Sequence, residues 1–210
     1  MSLKIDWATH KAAKHACTHW HYSGTMPVGK TLKVGAWENE KFIGVVIFSR
    51  GANNRIGMPY GLKQTEVCEL TRIALRKHEC FVSEVLSKAI KFLKGKSPDL
   101  QLIVSYADCE QGHNGGIYQA TNWIYEGRTK GERYFIVNGK ITHTKSLHSK
   151  YKNRYKDYSA SVQWLRKHID INAEVYITKG KHKYLMPLNK KMRKKIIKLH
   201  KPYPKKERKV

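Results

Sequence analysis

The stretch "LQLIVSYAD", residues 100–108, constrains the fold more than any other part of the chain. It is apolar without the polar alternation of a half-exposed strand, so it belongs inside a sheet covered on both faces. Asp108 ends it, and the glycine-rich "CEQGHNGG" turns the chain into the helical pattern of "GGIYQATNW". A buried strand entering a helix through a tight turn is a joint of a mixed α/β sheet. The carboxyl end of such a strand is where catalytic groups collect, which singles out Asp108; its alternative role is to cap the turn that follows.

The remaining elements fit that frame. "DWATHKAAKHAC" suits a short helix, and "TLKVGAWENEKFIGVVIFSRG" reads as two strands around a Glu-Asn-Glu-Lys turn. "GANNRIGMPYGLKQTE" is loop, and "VCELTRIAL" alternates as a strand. "FVSEVLSKAIKFLKGK" places Val82, Leu86, Ala89, Ile90 and Leu93 on one helical face, with Ser83 as its N-cap. "IYEGRTKGERYFIVNGK" reads as a final hairpin. The expected fold is therefore α/β, with a mixed central sheet flanked by helices over residues 1–150. Residues 151–210 form a basic C-terminal extension: a helix near "SASVQWLRKHI", a hairpin-like "AEVYITKGKHKYLMPL", the basic helix "NKKMRKKIIKLH", and a disordered "KPYPKKERKV".

Charge narrows the function. The 210 residues hold 41 Lys and Arg against 16 Asp and Glu, a net +25. Residues 151–210 carry 19 basic and 4 acidic residues, so the extension is the more basic part per residue. A polyanion is the expected partner, double-stranded DNA first and tRNA second, with phosphate contacts dominating affinity. The longest apolar run lies within Phe42–Phe48, far short of a membrane span, and no segment joins a basic face to a strong apolar one. "MSLKIDW" has no apolar signal core, so a cytoplasmic location is expected. Cys17, Cys68, Cys80 and Cys109 show no CxxC spacing and read as free thiols.

Two resemblances emerge from these blocks. The element order over roughly residues 1–140, with "LIVSYAD...GGIYQATNWIYEG", resembles the GNAT acyltransferase fold, which implies a largely antiparallel sheet. "HYSGTMPVGK", "KVGAWENEKFIGVVIFSRGAN", "YGLKQTEVCELTRIAL" and "SYADCEQGHNGGIYQATNWIY" are similar to the signature blocks of the Mom family of bacteriophage DNA-modification proteins. That resemblance implies a transferase that makes N6-carbamoylmethyl adenine in phage DNA and so shields it from host restriction enzymes.

The candidate site residues follow. His21 and Tyr22 form the "HY" block: an imidazole moves protons near neutrality, and a phenol ring can stack on an extruded base. GNAT resemblance places Tyr118 as the proton donor to the leaving group, and Arg72 can hold a carboxylate or phosphate. Ser83 and Asn114 are candidate substrate contacts. The counterpart of the GNAT pyrophosphate cradle, "RKHECFVS" at residues 76–83, contains no glycine, so close backbone approach to a CoA pyrophosphate is not expected there. His15, Cys17, His19 and His21 lack any metal-binding frame, so no metal site is assigned, although an iron centre would help if acetyl-CoA were the donor. No tightly bound cofactor is expected. Glycyl-tRNA is the preferred donor and acetyl-CoA the second. The rival reading is a non-enzymatic basic nucleic-acid binder.

Overall fold

The protein is described by a computed structural model that covers residues 2–51 and 53–205. The chain divides into two compact units. The larger comprises residues 1–107, 113–127 and 182–210, and the smaller residues 108–112 and 128–181. The expected boundary at residue 150 falls inside a helix of the smaller unit.

In the larger unit, seven strands form one sheet: β1 (Leu3–Trp7), β2 (Thr31–Glu38), β3 (Lys41–Ser49), β4 (Val67–Leu75), β5 (Leu102–Asp108), β6 (Ile124–Arg128) and β10 (Lys181–Pro187), in the order β1-β2-β3-β4-β5-β10-β6. The first four are antiparallel neighbours, and β4 pairs in parallel with β5. The β2–β3 turn is built on Asn39 and Glu40, both at positive φ, which matches the twist of a tight hairpin. Both faces are covered, as the apolar "LQLIVSYAD" requires. On one face, Leu86, Ala89 and Leu93 of α2 (Val82–Lys96) pack with Val46, Phe48, Ile103 and Trp123. Ala13, Ala16 and Cys17 of α1 (His10–Trp20) pack on Val45, Ile47 and Ala74. A third cluster joins Val67, Leu102 and Val104 to Met192 and Ile196 of α6 (Lys190–Ile196). The fold is thus the expected mixed α/β arrangement, a mostly antiparallel sheet between helices.

The smaller unit has its own sheet, in the order β8-β7-β9, from β7 (Arg133–Val137), β8 (Lys140–His143) and β9 (Glu174–Ile177). Phe135 and Val137 pack on Leu147 and Tyr151 of α4 (Thr144–Tyr151) and on Trp164 and Leu165 of α5 (Val162–His168).

Several local expectations are corrected. A first strand, β1, precedes α1. "IYEGRTKGERYFIVNGK" is not one hairpin: β6 joins the large sheet and β7 the small one. "AEVYITKGKHKYLMPL" divides in the same way between β9 and β10. Residues 201–205 are ordered against the larger unit, where Tyr203 donates to the Trp123 carbonyl at 2.6 Å and the Lys201 amide to Tyr125 at 2.8 Å. Residues 206–210 of the expected disordered end lie outside the described residues.

Candidate functional site

The parallel ladder between β4 and β5 runs from Val67 and Leu102 to Leu70 and Ser105, and then the register stops although both strands continue. On the β3 side, a bulge inserts Thr71 opposite the Phe48–Ile47 step, and such bulges re-aim the side chains beside them. The two strands therefore part beyond Leu70 and Ser105, at a splay point towards the carboxyl end of β5, where α/β sheets gather chemistry.

Candidate residues of the larger unit assemble around it. Tyr118, on the short α3 (Gly116–Ala120), brings its hydroxyl to 2.8 Å from the Ser105 hydroxyl, at the last paired rung. Burial pushes its phenol up to about 12, so it holds its proton at neutral pH. The turn that delivers it is tight: a Cβ on Gly115, at φ +79°, would meet the Tyr184 ring at 2.3 Å. Arg72 follows on β4; its Nη1 donates to the Thr71 carbonyl at 2.7 Å, while its Nε is buried without a hydrogen-bond partner.

α1 begins at the Thr9 side-chain cap and ends at Trp20, so His21 and Tyr22 are the first residues to leave it. The two rings stack loosely at 4.3 Å, and Tyr22 meets His113 edge-on at 5.3 Å. His21 is driven down to about 4, first by burial and then by the charges of Arg72 and His113, so it is neutral at pH 7. The Ser23 amide donates to its Nδ1 at 3.1 Å, which leaves the ring proton on Nε2. His21 is therefore set up as a hydrogen-bond donor, an arrangement suited to a carbonyl or oxyanion rather than to taking a proton. His113 and Ser105 were not singled out from sequence; each acquires significance only through neighbours distant in the chain.

Ser83 stands elsewhere and is not the N-cap of α2. That position belongs to Phe81, which makes no side-chain cap, and Ser83 lies within the first turn. The anion at this end of the helix comes from β2: the Glu38 carboxylate, 8% exposed, accepts from the Glu79 amide at 3.0 Å and from the Cys80 amide at 2.6 Å. Those amides hold the Glu38 carboxyl below the ordinary carboxylate range, and the Cys80 thiol bonds to it as well. Burial and then Glu38 push the Cys80 thiol up to about 11. The segment expected to lack a pyrophosphate cradle thus already surrounds an internal anion.

Asn114 is engaged in its own turn: its side-chain oxygen accepts from the Gly116 amide at 3.2 Å, and its carbonyl accepts from the Tyr184 hydroxyl. Asp108 belongs to the smaller unit, where one carboxylate oxygen accepts from the Glu110 amide at 2.9 Å. His15 and His19 stack at 4.2 Å, and Cys17 is buried. Among the described residues no three His, Cys, Asp or Glu come together, so they offer no ligand set for the iron considered above.

None of the curated proteins matches this chain in sequence. Among solved structures it is similar to a probable acetyltransferase from Staphylococcus epidermidis, at 7% identity and TM-score 0.48, over 90% of this chain and 100% of that one. It is also similar to an IAA acetyltransferase from Bacillus cereus, at 15% identity and TM-score 0.41, over 89% and 100%. The Mom protein family matches residues 2–205, nearly the whole chain, and the protein belongs to that family.

Proposed function

We propose that this protein is a DNA-modifying transferase that converts adenine to N6-carbamoylmethyl adenine, with glycyl-tRNA as donor. The observation that carries the reading is the splay point beyond the Leu70–Ser105 rung, around which a neutral imidazole, a guanidinium and a protonated phenol gather in a chain of the Mom family. In this reading His21 Nε2–H and Arg72 stabilise the ester carbonyl as charge develops on it, and Tyr118 gives a proton to the departing ribose oxygen. Asp108 takes the proton from adenine N6, whose lone pair is delocalised into the ring and which attacks only as that proton leaves.

The atoms balance without an oxidant. N6 bonds to the glycyl carbonyl carbon and the ester C–O bond breaks, giving N6–CO–CH2–NH2 and free tRNA. The amine then attacks C6 through a five-membered ring and the old C6–N6 bond breaks, leaving C6–NH–CH2–CO–NH2. Two features favour this donor over acetyl-CoA. Glu38 already fills the amides ahead of α2, so a pyrophosphate there would meet a like charge. An acetyl donor would also need methyl C–H activation and a separate nitrogen source. The test is modification of duplex DNA by purified protein with either donor alone; product from acetyl-CoA without charged tRNA would contradict the donor assignment.

The net charge of +25 favours one rival, a non-enzymatic nucleic-acid binder. A binder keeps its phenotype with His21→Ala or Asp108→Ala, whereas the transferase loses it.

A further inference from the structure

The smaller unit holds a cavity of about 390 Å³ that the donor chemistry leaves unused. Its wall is one face of the β8-β7-β9 sheet. Tyr134 is paired with Tyr176, and Ile136 with Ile141, so both tyrosines and Ile141 share the face opposite Phe135 and Val137, which are committed to the core. The turn after β5 adds Asp108, Glu110 and Gln111 to the lining, Glu132 adds a third carboxylate, and Lys130 and Lys181 add positive charges.

This wall is fixed in advance. The Tyr176 hydroxyl donates to Glu110 at 2.8 Å, and the other oxygen of Glu110 accepts from the Lys179 amide at 2.5 Å. Tyr134 rests edge-on against His143 at 4.8 Å. Below them two chain segments are tied by the Thr178 amide to the Glu132 carbonyl at 3.0 Å and the Thr129 amide to Lys181 at 2.9 Å. They approach so closely that a Cβ on Gly180 would lie 2.2 Å from the Thr129 carbonyl.

Aromatic faces, carboxylates, a primary amide and lysines are the groups that recognise a nucleotide, and of the carboxylates Glu110 is already held by Tyr176 and Lys179. Stacking takes any base, a carboxylate accepts from an exocyclic amine, and an amide fits the donor–acceptor edge of adenine. Glutamate- or aspartate-type acceptors repel the carbonyl oxygens that guanine and thymine present instead. Asp108 spends one oxygen on the Glu110 amide, and its second oxygen carries lone pairs of its own.

We propose that this cavity is the adenine-binding site: the base stacks on Tyr134 and Tyr176, its exocyclic amine donates to Asp108, Gln111 reads the ring edge, and Lys130 meets a flanking phosphate. The assignment rests on the acceptor half of the function proposed above. An extruded DNA adenine and the terminal adenosine of a tRNA share this chemistry. The DNA base is the occupant because Asp108 is the group that deprotonates N6.

The test is equilibrium binding of the full chain, with no donor present, to duplexes carrying one extrahelical adenine, one extrahelical cytosine or an abasic residue at the same place. The wild type should prefer adenine over the abasic duplex by about tenfold, the scale of one base–aromatic stack. Tyr134→Ala should abolish that preference while leaving abasic affinity within about twofold, and Tyr134→Phe should keep it. Exposed Gln111, changed to Ala, should lose the choice of adenine over cytosine while still preferring a base to none. A wild type indifferent to the base, or a Tyr134→Ala variant that retains the preference, overturns the site. Competition by a CCA-ended RNA minihelix that disappears when its last adenosine is removed overturns the DNA assignment. A retained adenine preference in protein that never modifies DNA would support the pocket and contradict the function.

Discussion

At the scale of single residues, His21 carries the most specific consequence. Its pKa is lowered from the ordinary value near 6.5 to about 4, so between those values the unfolded chain binds a proton that the folded chain does not. Its contribution to stability is therefore complete above pH 6.5 and falls as the pH drops towards 4. Relative to His21→Gln, the wild type should lose about 1 kcal/mol between pH 7 and pH 5, a figure reduced for solvent screening at a half-buried ring. Denaturant melts of both proteins at the two pH values measure this; equal losses contradict the assignment. The same substitution should lower the rate about 100-fold, as removal of an oxyanion donor does, with little change in DNA affinity. That His21 and Tyr22 are functional candidates was legible in the "HY" block. The tautomer and the lowered pKa were not, because they come from Ser23, Arg72 and His113, and two of these are distant in the chain.

At the scale of elements, the long patterns in the sequence translated directly. The face of Val82, Leu86, Ala89, Ile90 and Leu93 became α2, and the apolar "LQLIVSYAD" became the buried β5. Errors came where pairing was inferred from adjacency: β6 and β7 follow one another but enter different sheets, as do β9 and β10. β1 was missed because the alternation of Leu3, Ile5 and Trp7 spans only five residues. The α2 N-terminus was misread for a different reason. Ser83 is a good capping type, but the stabilising anion is Glu38, supplied across the fold by β2. Glu38→Ala should lower the melting temperature, and added sulfate should restore it by occupying the vacated amides. Sulfate that raises the wild type and the variant equally would contradict an emptied anion hole.

At the scale of the whole molecule, the basic tail has a buried apolar side and an exposed lysine side. Met192 and Ile196 are core residues of the larger unit, so Met192→Ala should cost about 2–4 kcal/mol in denaturant unfolding. Lys190, Lys191, Lys194 and Lys198 are exposed. Changing these four to Gln should spare stability and reduce the slope of log K against log salt by about 0.9 for each phosphate that is no longer neutralised. An unchanged slope would mean that the lysines serve solubility alone. The basic helix "NKKMRKKIIKLH" was legible in the sequence, and it became α6. The return of residues 182–205 to the larger unit was not, because it depends on β10 inserting between β5 and β6.

Glycyl transfer followed by rearrangement is tested most directly by tracing one nitrogen. Duplex DNA is treated with purified protein and tRNA charged with 15N-glycine, and the modified nucleoside is fragmented in a mass spectrometer. Glycyl transfer with rearrangement puts the label on the nitrogen bonded to C6 of the purine, while the terminal amide carries the adenine's original nitrogen. Label in the terminal amide, or a modified base with no label at all, would contradict it.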